Sequence, residues 1–318
     1  MKQENWDKTF RKSERTGHRK VTFKNRFGFE LAADLYTPKD RLPEAAIAVC
    51  GPFGAVKEQA SGFYAQKLAE QGFMTLAFDP SFTGESSPAN ARYMNSPDIN
   101  TEDFISAVDY LMTEQNMENI GVLGICGWGG MALNAAAADP RIKATVSSTM
   151  YDMSRVTQKG YFDSADSREA RKQARKAMAL QRLEDCRNRE HQLAGGVVDP
   201  LPEDAPDFVK DYYAYYKTPR GYHPRSLNSN EGWTSITGIS LLNRPLMQYI
   251  DEIDNAVLLV HGDKAHSYYF SKDAFEKLAG DNKKFITVKG ASHTDLYDQE
   301  DRIPFDEITD FFKQYLLF

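Results

Sequence analysis

The stretch "GVLGICGWGG", residues 121–130, joins an apolar run to a glycine-rich turn and places one cysteine, Cys126, at the junction. The apolar run is typical of a buried strand, and the "MALNAAAA" that follows is typical of a helix. Gly124 and Gly127 lie on either side of the cysteine, and small neighbours allow the backbone to turn sharply. The pattern predicts a strand–turn–helix unit with the Cys126 thiol at its apex. The alternative is that Cys126 is an ordinary small core residue.

The same alternation of apolar runs and helical patterns extends along most of the chain. Helical spacing of apolar residues occurs at 57–71, 102–114 and 305–317. Continuous apolar runs that alternate with helices predict an α/β fold with a mostly parallel central sheet, covered by helices on both faces. The predicted strands are "AAIAVC" (45–50), "MTLAFD" (74–79), "IGVLGIC" (120–126), "ATVSSTM" (144–150), "AVLLVHG" (256–262) and "KFITVKG" (284–290).

The alternation is interrupted after the run that ends at Met150 and resumes at Ala256. We therefore predict one core domain formed by residues 1–151 and 256–318. Residues 152–255 are predicted to form a helical cap, inserted after the run 144–150, which we count as the sixth strand of the sheet. The first half of the insertion predicts a helix that starts at a capping-box-like Asp166/Glu169 pair and stops at Gly195-Gly196. The second half is rich in aromatic residues, which either pack on the core or form the wall of a substrate pocket: Tyr212, Tyr213, Tyr215, Tyr216 and Trp233.

Composition limits the class of partner. The formal net charge is -6 and no long Lys/Arg block occurs, so nucleic acid and anionic membranes are not expected. The N-terminus is polar, without the apolar stretch of a signal peptide, and no run of roughly 18 apolar residues predicts a membrane span. The 3 cysteines are too few for a disulfide framework. We expect a cytoplasmic protein with a small-molecule substrate, and homodimer formation stays open.

Cys126 gains a functional interpretation from a histidine later in the chain. A thiol on a sharp strand-to-helix turn can act as a nucleophile, because the next backbone N–H helps to bind an oxyanion. The stretch "VKGASHTDLYD", residues 288–298, supplies His293 in a small-residue loop after the last predicted strand. The chain order of nucleophile and then base is that of strand-turn nucleophiles in α/β sheets. The other histidines lack metal-ligand spacing, so no metal site is predicted.

The carboxylate that would orient His293 is less clearly indicated. The usual place is three or four residues beyond the glycine that ends the seventh strand, but "HGDKAHS", residues 261–267, has Ala265 and His266 there. Asp263 is the nearest carboxylate and is our first choice. Asp152, just beyond the sixth strand, is the rival, and both aspartates could be ordinary loop residues.

A second oxyanion donor is expected from the loop "VCGPFGAVKEQ", residues 49–59, between a strand and a helix. Pro52 has no N–H to offer, so the backbone N–H groups of Phe53 and Gly127 are the candidate pair. Glu58, near the start of the helix, either approaches Cys126 or simply complements the helix dipole.

Five stretches together resemble an α/β-hydrolase of the dienelactone-hydrolase-like branch: "GPFGAVKEQ", "LAFDPSFTGESS", "GVLGICGWGG", "HGDKAHSYYFS" and "GASHTDLYD". The resemblance implies the α/β-hydrolase fold, a Cys126–His293–Asp263 triad and hydrolysis of esters, thioesters or lactones without a cofactor. Trp128 stands where that family usually has glycine, and we place it with Tyr212 and Tyr216 at the substrate pocket.

The substrate of a dienelactone hydrolase is anionic and is held by arginines, whereas Asp295 and Asp298 follow His293 here. We therefore expect an uncharged, fairly apolar ester or acyl group. Three functions fit the sequence: a hydrolase with an acyl-cysteine intermediate, an acyltransferase with the same intermediate, and a non-catalytic binding protein on the same fold.

Overall fold

The structure, a computed structural model, describes residues 6–318; residues 1–5, which belong to the predicted core domain, lie outside the described residues. Its centre is an eight-stranded sheet in the order β1-β2-β4-β3-β5-β6-β7-β8. The strands are β1 (Thr16–Lys24), β2 (Glu30–Pro38), β3 (Ala46–Cys50), β4 (Met74–Phe78), β5 (Ile120–Ile125), β6 (Ile142–Ser148), β7 (Ala256–Gly262) and β8 (Lys283–Val288).

The strands from β3 to β8 are the six predicted from apolar runs, and they pair in parallel. Those at the centre of the sheet, such as β3, β5 and β7, are buried along their whole length, as strands covered on both faces should be. β1 and β2 add antiparallel pairs at one edge. The search for apolar runs in the sequence did not find β1 or β2. β1 is partly exposed and carries charged residues, so it does not form an apolar run.

Helices cover both faces of the sheet, which confirms the predicted α/β architecture. On one side α1 packs near α10, and on the other α2 packs against α3. The helices are α1 (Ala60–Glu70), α2 (Pro97–Thr113), α3 (Gly127–Ala138), α4 (Met153–Lys159), α5 (Arg168–Asn188), α6 (Asp207–Tyr216), α7 (Leu227–Asn230), α8 (Tyr268–Lys277), α9 (Asp295–Asp298) and α10 (Phe305–Leu316).

The connection between β6 and β7 carries α4 to α7, in the segment predicted as a cap. Its long helix, α5, differs at both ends from the prediction. The N-cap is Ser167, whose side chain accepts the N–H of Ala170, and the helix ends at Arg189 in the left-handed conformation, before Gly195. The helix ends before the predicted stop because the chain turns back, and the Asp185 carboxylate accepts the backbone N–H of Gln192 at 3.2 Å.

A buried charge cluster fixes the start of α1 to the end of β4. Lys57, with no exposed side-chain surface, lies 2.7 Å from Glu58 and 2.9 Å from Asp79. Burial alone would lower the pKa of Lys57, but the charges of Asp79 and Glu58 outweigh it and raise that pKa. Arg225, from the predicted cap, reaches the same Glu58 carboxylate at 2.7 Å. Glu58 therefore serves this cluster, and the structure gives no support to a role for it at Cys126.

The turn after β5 depends on a close approach between strand and helix. A Cβ atom at Gly124 would lie 2.1 Å from the backbone oxygen of Trp128. Gly124→Ala should therefore lower the free energy of unfolding by at least about 2 kcal/mol, as overpacking in a rigid core does. Urea denaturation measures this loss. Gly238→Ala, where the nearest atom is the Thr157 methyl at 3.3 Å, is the control, and equal stability of the two variants would contradict the close packing.

Candidate active site

Cys126 occupies a strained turn at the carboxyl end of β5. Its backbone has φ 58° and ψ -127°, and a positive φ of this size is rare in residues other than glycine. Three hydrogen bonds hold it there. Its N–H donates to Ser148 at 3.0 Å, and its carbonyl accepts from Gly129 and from Tyr151, each at 2.9 Å. The turn thus projects a single thiol from the junction of β5 and α3.

Two backbone N–H groups lie near this thiol. Those of Phe53 and Gly127 are close enough to the Cys126 sulfur to lower the pKa of the thiol. They can converge because residue 127 has no side chain, and a Cβ there would lie 2.7 Å from the Phe53 Cβ. The structure therefore brings together the two residues predicted as oxyanion donors. Paired N–H groups aimed at one point are suited to an oxygen that gains negative charge during acyl transfer.

The thiol is neutral at rest. Burial raises the pKa of Cys126, and the nearby Tyr297 hydroxyl and the N–H groups of Phe53 and Gly127 lower it only in part. A buried thiol of this kind becomes a good nucleophile only when a neighbouring group accepts its proton as it reacts.

His293 is fully buried in the loop between β8 and α9 and is surrounded by hydroxyl groups. Its Nε2 lies 3.0 Å from the Tyr297 hydroxyl. Its Nδ1 lies 2.6 Å from the Ser267 Oγ and 3.0 Å from the Thr149 Oγ1. Within residues 6–318, no hydrogen bond joins the imidazole to a carboxylate or directly to the Cys126 thiol. Burial lowers the pKa of His293 far below its ordinary value, and His266 and His261 lower it further.

A second buried histidine supports the first through Ser267. The Ser267 Oγ lies 2.9 Å from Nε2 of His261, whose Nδ1 is 2.7 Å from Ser271. Burial, with His266 nearby, lowers the pKa of His261 to about 3, so its ring is neutral. The donors form one consistent series: His293 Nδ1–H to Ser267, Ser267 O–H to His261, and His261 Nδ1–H to Ser271. In this series Nε2 of His293 carries no proton and can accept one from the Tyr297 hydroxyl, 3.0 Å away.

Neither aspartate considered for the triad faces His293. Asp263 lies on the surface, where its carboxylate accepts the Gly290 N–H at 2.7 Å. Asp152 is buried, but it caps α4 by accepting the Arg155 N–H at 2.9 Å. The expectation of an Asp263 triad is therefore corrected, because the hydroxyl of Ser267 takes the place at Nδ1 where a carboxylate was expected.

Cys126 lies in the wall of a pocket of about 390 Å³. Of the aromatic residues proposed for its wall, Tyr212, Tyr216 and Trp233 line it, and Trp233 stacks on Phe53 with ring centroids 4.3 Å apart. No charged side chain of the described residues lines the pocket. The remaining lining residues are Tyr151, Met153, Tyr161, Gly195, Gly196, Val197, Val198, Phe208, Val209, Asn228, Ser229 and Tyr297.

Three of the aromatic residues considered for the wall lie elsewhere. Trp128, which we placed at the pocket, is only 2% exposed and packs edge-on against Phe104 between α3 and α2. It lies two residues after Cys126, in the first turn of α3, and faces α2 instead of the pocket. Tyr215 is buried behind Tyr216 and Tyr297, and Tyr213 does not line the pocket.

Sequence reasoning missed the hydroxyl partners of His293. Tyr297 follows His293 by four residues, one helical turn, which is a weak signal that the two side chains meet. Ser267 follows Gly262, at the end of β7, by five residues, close to the usual place of a triad acid. Thr149 had no sequence signal. Within residues 6–318 the structure shows no cluster of His, Cys, Asp and Glu suited to a metal ion and no helix able to cross a membrane.

Comparison with known proteins places this architecture in a family. The sequence model of the alpha/beta hydrolase fold matches residues 53–300. Protein PA2218 of Pseudomonas aeruginosa is 54% identical over 98% of this chain and 84% of its own. Its crystal structure has a TM-score of 0.93 at 52% identity and covers 99% of both chains.

Two further relatives are more distant. YcjY of Escherichia coli is 32% identical over 88% of this chain and 92% of its own length. Thiohydrolase aneE of Aspergillus aculeatus is 30% identical over 42% of each chain. Because the family model matches most of the chain and close relatives align along nearly all of it, this chain belongs to the α/β-hydrolase fold family.

Proposed function

We propose that this α/β hydrolase cleaves a small uncharged thioester or ester through an acyl-cysteine intermediate on Cys126. The observation that carries the proposal is the position of the thiol: it projects from a strained turn, under the N–H groups of Phe53 and Gly127, into an apolar pocket. A thiol that is only a core residue does not require an unfavourable backbone conformation or two converging donors. A cysteine nucleophile also agrees with the dienelactone-hydrolase-like branch of the family.

The thiol of Cys126, the imidazole of His293 and two backbone N–H groups carry out the proposed reaction. The Cys126 sulfur attacks the carbonyl carbon of the substrate while its proton passes toward Nε2 of His293. The carbonyl oxygen becomes an oxyanion that accepts the N–H groups of Phe53 and Gly127. As the tetrahedral intermediate collapses, the bond to the leaving group breaks and the proton is returned to that group. Water then attacks the acyl-cysteine, with His293 as its base, and releases the acid and the free thiol.

The pocket indicates the substrate class. Its aromatic and aliphatic lining, without a charged group among the described residues, favours an uncharged acyl chain over an anionic one. A thioester is the preferred case, because thiol-to-thioester exchange forms a bond of the same kind as it breaks, and a thiolate leaves without full protonation. The name of the relative thiohydrolase aneE supports this preference.

A transferase would use the same acyl-cysteine and pass the acyl group to an alcohol or amine instead of water. The identity of the released product, analysed by mass spectrometry with and without added acceptors, decides between the two. A binding protein without catalysis is supported by the absence of a carboxylate at His293 among the described residues, and it predicts no covalent acyl-enzyme under any condition.

The nucleophile is tested by labelling. Incubation with p-nitrophenyl acetate and with S-phenyl thioacetate should add one acetyl group to the wild type, and Cys126→Ala should abolish both labelling and turnover because the attacking sulfur is gone. Intact-mass analysis and peptide mapping measure this. Cys186→Ala, which changes the exposed cysteine, is the matched control and should behave as the wild type. Acetylation that persists in Cys126→Ala would assign the chemistry to another residue.

The Ser267 hydroxyl, which stands at Nδ1 of His293 where a carboxylate was expected, gives a second test. Ser267→Ala leaves the buried Nδ1 with a poorer set of partners, so kcat should fall by about 5- to 150-fold, the equivalent of about 1–3 kcal/mol. Asp263→Asn should change kcat less than about threefold, because Asp263 bonds Gly290 on the surface. Steady-state kinetics with the same two substrates measures both. A larger loss in Asp263→Asn than in Ser267→Ala would restore Asp263 as the triad acid.

The pocket wall gives a third test. Tyr212→Ala and Trp233→Ala remove lining side chains, so relative kcat/KM across p-nitrophenyl esters of increasing acyl length should shift toward longer chains by about 10- to 200-fold. Tyr213→Ala, a neighbouring residue of α6 outside the lining, is the control and should leave the ranking unchanged. If the pocket variants lower only thermal stability and keep the wild-type ranking, these residues do not select the acyl group.

A further inference from the structure

Tyr297 stands between the two groups that must exchange a proton. It lies in the short helix α9, one turn after His293, and is fully buried. Its hydroxyl is 3.0 Å from Nε2 of His293. Tyr297 also lines the same pocket as Cys126, close enough for its hydroxyl to lower the pKa of the thiol. It therefore lies beside both the proposed nucleophile and the proposed base.

The Tyr297 hydroxyl occupies Nε2, the nitrogen of His293 that would accept the thiol proton. As described above, His293 makes its hydrogen bonds to Ser267, Thr149 and Tyr297, and none joins it directly to the thiol within residues 6–318. A general base has to lie within hydrogen-bond reach of the proton it removes, or be connected to it through one intervening group. Tyr297 meets that requirement, because a phenol both donates and accepts a hydrogen bond.

We propose that Tyr297 is a catalytic residue that relays the thiol proton of Cys126 to His293 during acylation. The inference rests on the proposed function and specifies how its nucleophile is activated. The S–H bond breaks and the Tyr297 oxygen takes that proton, while the original Tyr297 proton moves to Nε2 of His293. Tyr297 is a neutral phenol before and after the step, the sulfur forms its bond to the carbonyl carbon, and the imidazole becomes an imidazolium. The reverse movement returns a proton to the leaving group.

The packing around Tyr297 holds its hydroxyl on this line. The ring of Tyr215 meets it edge-on at a centroid distance of 5.0 Å. The next residue, Asp298, accepts two hydrogen bonds from Nε of Arg220, at 3.0 and 3.2 Å, and a third from its Nη2. Arg220 also donates to the Thr294 carbonyl at 2.8 Å. The short helix is thus fastened at both ends to one guanidinium from the predicted cap, and Arg220 is a positioning residue for the relay.

The decisive measurement is the pH dependence of thiol reactivity with two uncharged probes. p-Nitrophenyl acetate has a leaving group that needs no proton, and iodoacetamide reports the thiol without any acyl chemistry. In the wild type, both rate constants should change little between pH 6.5 and pH 8, because burial keeps His293 neutral over this range and it accepts the proton through Tyr297. The sign follows from the lowered pKa of His293: its acid limb lies well below pH 6.5, where the ring becomes protonated.

Tyr297→Phe removes one oxygen and keeps the ring. At pH 7 both rate constants should fall about 100-fold, and they should then rise about tenfold per pH unit, because hydroxide has to remove the thiol proton. His293→Ala should give the same slope, and the double variant no further loss, since the two residues act as one unit. Tyr213→Phe is the matched control: this tyrosine of α6 does not line the pocket, and the rates of the variant should equal those of the wild type.

Three results would overturn the relay. If the ester rate constant of Tyr297→Phe falls by the same factor at every pH while its iodoacetamide rate constant is unchanged, the hydroxyl is a third oxyanion donor, because alkylation forms no oxyanion. A wild-type profile with both probes would give the hydroxyl no part in the reaction. In the wild type, a linear dependence of the alkylation rate on deuterium fraction would contradict the simultaneous movement of two protons, and this measurement requires no variant. If iodoacetamide shows the relay while no ester or thioester acylates Cys126, the proposed function fails and the activated thiol remains.

Discussion

The rest of the site depends on one unfavourable backbone conformation, the left-handed turn at Cys126. β5 and α3 can meet at so sharp an angle only because residues 124 and 127 lack side chains, and the strain is held by the hydrogen bonds that join Cys126 to Ser148, Gly129 and Tyr151. The same turn brings the Gly127 N–H next to the sulfur and places the thiol where the carboxyl ends of the parallel strands converge. The proposed nucleophile, the proposed oxyanion donors and the pocket are therefore consequences of a single local geometry.

That geometry was readable from sequence because it is local. Strand, glycine, cysteine and helix follow one another within ten residues, and continuous apolar runs identified all the strands from β3 to β8. The partners of His293 were not readable in the same way. Ser267 and Thr149 come from two different loops, and a serine or threonine in a loop carries no sign of which ring nitrogen it will face. Asp263 is the carboxylate nearest in sequence to the usual position of a triad acid. Its side chain, however, accepts a hydrogen bond from the Gly290 N–H at the protein surface.

Hydroxyls in place of a carboxylate change the electrostatics of the base. A buried carboxylate at Nδ1 would stabilise an imidazolium and favour a resting thiolate–imidazolium pair. Here two neutral histidines and several hydroxyls surround His293, burial lowers its pKa, and burial raises the pKa of Cys126. In the proposed reaction, charge then develops only while the sulfur attacks, and a neutral resting thiol is less readily oxidised than a thiolate.

The predicted cap does more than cover the pocket, because it is joined to the core at the elements that build the site. Arg225 reaches Glu58 in the charge cluster at the start of α1, and the Gly221 carbonyl accepts a hydrogen bond from the Gln59 side chain. Arg220 fastens α9, the helix that carries Tyr297. Movement of this segment would shift the pocket wall and the hydroxyl at Nε2 together. In the proposed mechanism, substrate binding under the predicted cap and activation of the thiol would therefore be coupled through the same few contacts.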